Sequence, residues 1–505
     1  MKTLINRVFM NKARVLGSRS VLLALLVAGL VSCAVGPDFK KPEVPKIDSF
    51  TRETPDSQGG QANAIEADWW RAYGSPQLSE LVDLALKNNP NIDAAIANLK
   101  IAQQNVIAQQ GFFFPQIGAG YVASRQNVGA TLAPAINGTA SVYGLQTAAL
   151  SVGFTPDIFG GNRRQVESLK AIANAQQLQL DALRITIATN VIATAVQEAV
   201  YREQLQMAKE SVEAARIQLG HSQKMAQLGY ISGIDLANQE SGYAQMAAQV
   251  PALKKLREQT LDMLAVLCGQ APNKQLLLPN LDSIHIPEKL PSALPSTLVE
   301  QRPDVKIAEE LVRASNAQIG VAISNMIPQF SITGVLGGSA TAFSEMFNGA
   351  NNIWGVAGGV GQPLFAGGSL FARKAAAEAG LEASLAQYRS TVITAFQNVA
   401  DTLYAIDSDG KLYQLARDSE IANEKVYEKT KIQFEKGYTS EPSLLSVKQQ
   451  YLQAKINAIQ AYSVYIGDTA ALYQSLGGGW RDESKADMAS GAQSSAKPAS
   501  SFSSK

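Results

Sequence analysis

From Gln116 to Arg125 the chain alternates, with Ile117, Ala119, Tyr121 and Ala123 on one side and Gln116, Gly118, Gly120 and Ser124 on the other. That is the period of a β-strand. The same period returns where Ala148, Leu150, Val152 and Phe154 alternate with Thr147, Ala149, Ser151 and Gly153. It appears again at Phe330 and Ile332, and at Trp354, Val356 and Val360. Four strands of about ten residues are predicted, a length that suits a tilted bilayer crossing with apolar side chains outward and small or polar ones inward.

Between these strands the pattern turns helical. No proline occurs from Asp157 to Val250 or from Leu364 to Glu441, and Gly220 is the only glycine between Asn162 and Leu228. Both stretches are rich in Ala, Gln, Leu, Glu and Lys, which favour helix. A helix from Asn162 to Leu228 would run for roughly 100 Å at 1.5 Å per residue, so it needs a lateral partner. Gly229–Gly233 breaks the run, and Ile234–Leu267 must double back as a helical hairpin. The break at Gly437–Pro442, followed by Ser443–Leu476, predicts a second one.

The two halves are copies. Pro90 and Pro303, and Pro115 and Pro328, share an offset of 213 residues, whereas Gly229-Tyr230-Ile231-Ser232 answers Gly437-Tyr438-Thr439-Ser440 at an offset of 208. The drop places a short deletion between Pro328 and Gly367. The expected organisation is a signal peptide over 1–32 and an N-terminal segment over 33–77. A first repeat covers 78–269, with strands in 116–154 and a helical hairpin in 161–268. A Pro-rich linker follows over 270–296, then a second repeat over 297–477, with strands in 329–362 and a hairpin in 369–476, and a disordered tail over 478–505.

Four strands cannot close a barrel, and an open sheet edge in lipid leaves backbone groups unpaired at several kcal/mol each. Several chains must therefore share one barrel. Two would give eight strands, filled by their own side chains, and three would give twelve around a lumen; the inward Gly118, Gly120, Gly153 and Gly359 favour the open wall.

Composition narrows the chemistry. Charged residues make up 17% and the net charge is +1, so no basic field exists to hold nucleic acid. Two cysteines, Cys33 and Cys268, and two histidines, His221 and His285, are too few for a zinc site. No Gly-x-Ser-x-Gly elbow, Gly-x-Gly-x-x-Gly or phosphate loop is present, so no catalytic residue, cofactor or metal is expected, and His221 reads as a surface residue. At the N-terminus, Lys2, Arg7, Lys12, Arg14 and Arg19 precede the short apolar run Val21–Val31 of a signal peptide. Leu30-Val31-Ser32-Cys33 resembles the bacterial lipobox, which implies acylation of Cys33 as the mature N-terminus. Ala34 after it favours the outer membrane.

The chain resembles the outer-membrane efflux channels of the TolC type, in the lipoprotein branch. The residues that carry the likeness are Cys33-Ala34-Val35-Gly36-Pro37-Asp38-Phe39, Asp68-Trp69-Trp70, the two Pro-Gln strand entries, Pro363-Leu364-Phe365-Ala366-Gly367-Gly368, both Gly-Tyr tips and Leu476-Gly477-Gly478-Gly479-Trp480. The resemblance implies a mixed α and β membrane protein. In that family a homotrimer builds a twelve-stranded barrel, four strands per chain, continued by a periplasmic coiled-coil tunnel. The expected function is passive conduction of substrates exported by an inner-membrane pump, with a periplasmic adaptor and outer-membrane lipid as partners. The expected contact and opening residues are Gly229, Tyr230, Ser232, Gly437, Tyr438 and Ser440. Where many members carry an acidic ring after the second tip, this chain has Ser443 and Ser446, so Asp235 and Glu441 are the remaining acidic gate candidates. An exit duct for protein secretion and a non-conducting structural lipoprotein are the alternatives.

Overall fold

The computed structural model describes residues 34–44, 49–50, 65–127, 142–287, 290 and 302–479. The signal segment, Cys33, the strand-connecting loop around Pro134 and Gly138, and the tail from Trp480 lie outside the described residues. The element order is α1 (Pro76–Asn88), α2 (Pro90–Gln110), β1 (Gln116–Asn127), β2 (Val142–Phe154), α3 (Gly161–Gln227), α4 (Gly233–Leu267), α5 (Pro303–Ser324), β3 (Gln329–Ala340), β4 (Asn352–Gly361), α6 (Ser369–Glu435) and α7 (Glu441–Ser475). No described helix is long and apolar enough to cross a membrane.

Helices α3 and α6 each run for 67 residues. They stop where the sequence changes chemistry. At the end of α3, Gly229 takes φ +77°, Tyr230 N–H donates to Met225 O at 2.9 Å and Gly229 N–H to Ala226 O at 3.0 Å. α6 ends the same way, with Gly437 at φ +74° and Tyr438 N–H on Gln433 O at 2.8 Å. This glycine-centred C-cap satisfies the last carbonyls and turns the chain back. α4 continues through Pro251, whose missing N–H forfeits one bond of the ladder without ending the helix.

The chain divides into two compact units, and the division cuts across the sequence repeats. The first gathers Met1–Glu43, Asn98–Gln177 and Ile307–Tyr388. It holds the antiparallel sheet of the described residues, in the order β1-β2-β3-β4, so the repeats meet where β2 pairs with β3, for example Leu150 opposite Leu336. Each unit draws segments from both repeats, so neither repeat stands as a unit by itself.

The described N-terminal residues are strapped onto the same unit. Val35 N–H donates to Phe159 O at 2.9 Å, Asn316 Nδ2 to Pro37 O at 2.9 Å, and Arg164 Nη2 meets Asp38 Oδ1 at 2.7 Å. The fit admits no side chain at Gly36, where a Cβ would lie 2.5 Å from the Gly320 Cα.

The second unit comprises Val44–Ala97, Leu178–Lys306 and Arg389–Lys505. Along α3, Val191, Ile192, Ala195, Val196, Ala199 and Val200 are all buried, and each Val or Ile gains roughly 1.5–3 kcal/mol on leaving water. Glu198, at 0% exposure, accepts from Arg257 Nε of α4 at 2.8 Å, an ion pair inside the first helical hairpin. Elsewhere in this unit, Trp69 stacks on Tyr473 with centroids 4.7 Å apart, and the Tyr73 and Thr469 hydroxyls are 2.9 Å apart. Tyr462 Oη donates to Ile284 O at 2.6 Å, and Arg302 Nη1 to Ser475 O at 2.7 Å, capping the end of α7. The linker and the start of the second repeat are thereby sewn to the last helix.

Candidate functional site

Two parts of the molecule carry functional geometry: the sheet, and the tips of the helical hairpins. Side chains on directly opposed positions of an antiparallel sheet share a face. The register puts Ile117 opposite Val152, Ala119 opposite Leu150, and Tyr121 opposite Ala148. Leu150 then faces Leu336, and Leu336 faces Trp354. This face is apolar along most of all four strands, with Arg125, Gln146 and Asn352 gathered at one end, and it is bare in the single chain: Trp354 and Val356 are each 77% exposed. The other face sets Gly118 opposite Ser151, Gly120 opposite Ala149, Ser331 opposite Gly359 and Thr333 opposite Ala357. Thr147 and Ser339 join hydroxyls across it at 2.8 Å. A sheet apolar on one face and small and polar on the other separates lipid from water. β1 and β4 are its open edges.

The strand ends carry bulky aromatics. Phe112, Phe113 and Phe114 precede β1 and are exposed, as are Leu364 and Phe365 after β4. Aromatic side chains gather at bilayer interfaces because one end is apolar and the other tolerates water.

At the tips of the hairpins, Gly229 and Gly437 occupy the left-handed region in open space, where an added Cβ would meet nothing within 4 Å. Tyr230 and Tyr438 beside them are 74% and 79% exposed. Ser232 caps α4 and Asp235 completes a capping box: Ser232 Oγ accepts from Asp235 N–H at 3.1 Å, and the Asp235 carboxylate accepts from Ser232 Oγ at 2.7 Å and from Ser232 N–H at 3.2 Å. The Asp235 carboxylate is thus held against its own helix start. Ser440 is the N-cap of α7 but makes no side-chain capping bond; Pro442 rigidifies the first turn instead. Ser443 and Ser446 are exposed on α7.

Glu441 does something the sequence does not announce. Its Oε2 lies 3.4 Å from Nε2 of His221 on α3, so one hairpin touches the other close to their tips. The only signal in the sequence is placement: His221 shortly precedes its tip glycine and Glu441 shortly follows the other. Further from the tips, Gln204, Met246, Ser446 and Gln449 line a groove of about 690 Å³ among α3, α4 and α7, where Gln449 Nε2 approaches Met246 Sδ at 3.5 Å.

Cys268 is buried with its Sγ 3.7 Å from Leu81 O, and burial pushes its thiol up to about 11, as suits an inert packing residue. Among the described residues no group of three or more His, Cys, Asp or Glu side chains is placed to hold a metal.

The sequence matches the family described as outer membrane efflux protein over residues 81–270 and 294–478. It is 26% identical over 479 residues to the probable efflux pump outer membrane protein TtgC of Pseudomonas putida, covering 92% of this chain and 96% of that one. It is 25% identical to the outer membrane protein OprJ of Pseudomonas aeruginosa, covering 91% and 95%. Among solved structures, the outer membrane channel CmeC of Campylobacter jejuni superposes with a TM-score of 0.81 at 23% identity, covering 90% of this chain and 98% of that one. The outer-membrane channel OprN gives 0.77 at 26% identity, covering 89% and 100%.

Proposed function

The chain belongs to the outer membrane efflux protein family, and from that premise we propose that three copies close one twelve-stranded barrel, each giving four strands, continued by a tunnel of paired helices. Its function is that of the outer-membrane channel of an efflux system. Conduction is passive: an inner-membrane pump supplies the energy, and a periplasmic adaptor engages the hairpin tips around Gly229, Tyr230, Ser232, Gly437, Tyr438 and Ser440. Acylation at Cys33 anchors the chain in the outer membrane, where several acyl chains give a stable hold; the strap that begins at Ala34 supports this, since Val35 is bonded to Phe159, five residues past the end of β2. Opening separates the two hairpins of each chain, with Glu441, Asp235, Ser443 and Ser446 near the aperture.

The observation that carries this reading is the sheet itself, with one face apolar except at one end of the strands, the other holding small and hydroxyl residues such as Gly118, Ser151, Ser331 and Gly359, and two unpaired edges. An open edge is not tolerated in lipid, so copies must complete it. Relatives are named for antibiotic, toluene and pyoverdine export, and a wide lumen leaves the choice of compound to the pump. The test is single-channel conductance of the purified mature protein in planar bilayers, together with its oligomer mass. A trimer with a small, stable conductance is expected; a monomer without conductance overturns the shared barrel.

A further inference from the structure

The first turns of α3 present two different stripes. Asn162, Val166, Leu169 and Ala173 face α2, where Val166 and Ala173 pack on Ala102 and Val106 and Asn162 Oδ1 accepts from Gln109 Nε2 at 2.6 Å. About 100° around the helix, Arg163, Glu167, Lys170 and Asn174 form a second stripe. With Phe113 and with Arg313 of α5, they line a pocket of about 460 Å³. Three cations and one carboxylate line it; the carboxylate, Glu167, is bonded to Arg164 Nη1 at 2.8 Å, and Arg163 is paired with Asp157 at 3.3 Å and donates to the Asp157 and Ile158 carbonyls, which leaves Lys170 and Arg313 to meet a ligand. Lys170 is exposed and makes no ion pair with the described residues. Arg313 reaches Glu310 only at 3.7 Å and Glu309 only at 3.9 Å, and its Nε, closed off from solvent, has no hydrogen-bond acceptor among the described residues.

Position fixes the kind of ligand. Arg163 is the third residue of α3, shortly after β2 ends at Phe154, and Phe113 belongs to the exposed aromatic run just before β1. The headgroup layer extends roughly 5–8 Å beyond the hydrocarbon on each side, and Lys170 lies about 10 Å along the helix from Arg163, within the reach of a lysine that extends its ammonium along the surface. We propose that this collar pocket binds the phosphodiester headgroup of a membrane phospholipid: Lys170 and Arg313 take the phosphate, the Glu167 side accepts the ammonium of an ethanolamine headgroup, and Phe113 meets the first methylenes. The bonds to phosphate are charge-assisted, which favours arginine and lysine together at one site. The proposal rests on the barrel's placement in the outer membrane and is independent of acylation at Cys33. It gives the trimer a ring of bound lipid at the level where the strap begins.

The test is native mass spectrometry of the detergent-purified, full-length oligomer, with dioleoyl phosphatidylethanolamine added and dioleoylglycerol as the same lipid without phosphate. Retention of the phosphatidylethanolamine and not of dioleoylglycerol is expected, with about tenfold weaker retention in Lys170→Glu, the loss of one charged hydrogen bond. Lys170→Arg keeps binding, and Lys100→Glu, on α2, leaves it unchanged. An unchanged oligomer mass shows that the variants fold. Equal retention of dioleoylglycerol, or equal binding by Lys170→Glu, overturns the site. Displacement by millimolar inorganic phosphate overturns the lipid as its ligand. Failure of the barrel reading appears separately, as absent conductance.

Discussion

His221, in the last two turns of α3, and Glu441, the first residue of α7, meet with Nε2 and Oε2 3.4 Å apart and so join the two helical hairpins of one chain near their tips. Both side chains are partly exposed, and such a pair contributes at most about 1 kcal/mol to stability. In the proposed opening, where the two hairpins part, a small bias at this junction changes the open population by up to several-fold. Glu441→Gln and His221→Ala are therefore expected to raise the mean conductance of bilayer-inserted channels while leaving the melting temperature within a few degrees of the parent. Conductance unchanged in both variants would remove the pair from the gate.

The tip glycines make a sharper demand. A Cβ at Gly229 or Gly437 would meet nothing within 4 Å, so any penalty on substitution comes from the backbone at φ +77° and +74°, about 1–2 kcal/mol for a residue other than glycine. Gly229→Val and Gly437→Val should lower efflux in cells and still yield trimers on native gels. Gly229→Asn, which tolerates the left-handed region better, should recover much of the loss. Equal loss with valine and asparagine would show that the side chain, and not the turn, is the cause, as expected where the proposed adaptor contact lies at the tip.

Much of this is legible in the sequence. Long proline-free runs and paired Gly-Tyr breaks mark the hairpins, because helix and its glycine cap are local properties. The alternating faces of β1 to β4 follow from a period of two. The rest is set by contacts between distant segments. Charge near a tip singles out Glu441, but its partner His221 lies on another helix and has the sequence context of an ordinary surface residue. The same criterion singles out Asp235, yet the structure turns its carboxylate onto Ser232, in a capping box that the sequence spells as Ser-x-x-Asp. The strap at Val35–Asp38 and the buried Glu198 depend on tertiary packing that no periodicity reports.

Glu198 supports a prediction about stability. It is fully buried, bonded to Arg257 Nε at 2.8 Å and within 3.8 Å of Arg202 Nη2, and its Oε2 has no hydrogen-bond partner among the described residues. Removing the strongest cation strands a charge away from water, at about 3–5 kcal/mol for a buried pair. Arg257→Ala should lower the midpoint of chemical unfolding strongly, whereas Arg257→Ala combined with Glu198→Leu should recover part of it. A double variant no more stable than the single one would contradict a stranded charge as the cause.

The second hairpin contains a carboxyl pair that makes its stability depend on pH. Asp468 of α7 is driven up to about 7 by burial and, next, by the neighbouring Asp409 carboxyl of α6. An acid whose pKa is higher when folded than the ordinary value of 3.8 binds its proton more tightly in the folded state. That contribution is fully present below about pH 4 and is lost as pH rises towards 7. Where the rest of the molecule is insensitive to pH, the oligomer should melt at a lower temperature at about pH 8 than at about pH 5.5. Asp468→Asn keeps a hydrogen-bonding group without the charge, so it should flatten that difference and raise the melting temperature at the higher pH by a few degrees, about 1 kcal/mol or more. A parent and an Asp468→Asn variant with parallel pH profiles would show that both carboxylates ionise freely between the helices, and the coupling of α6 to α7 through this pair would have to be abandoned.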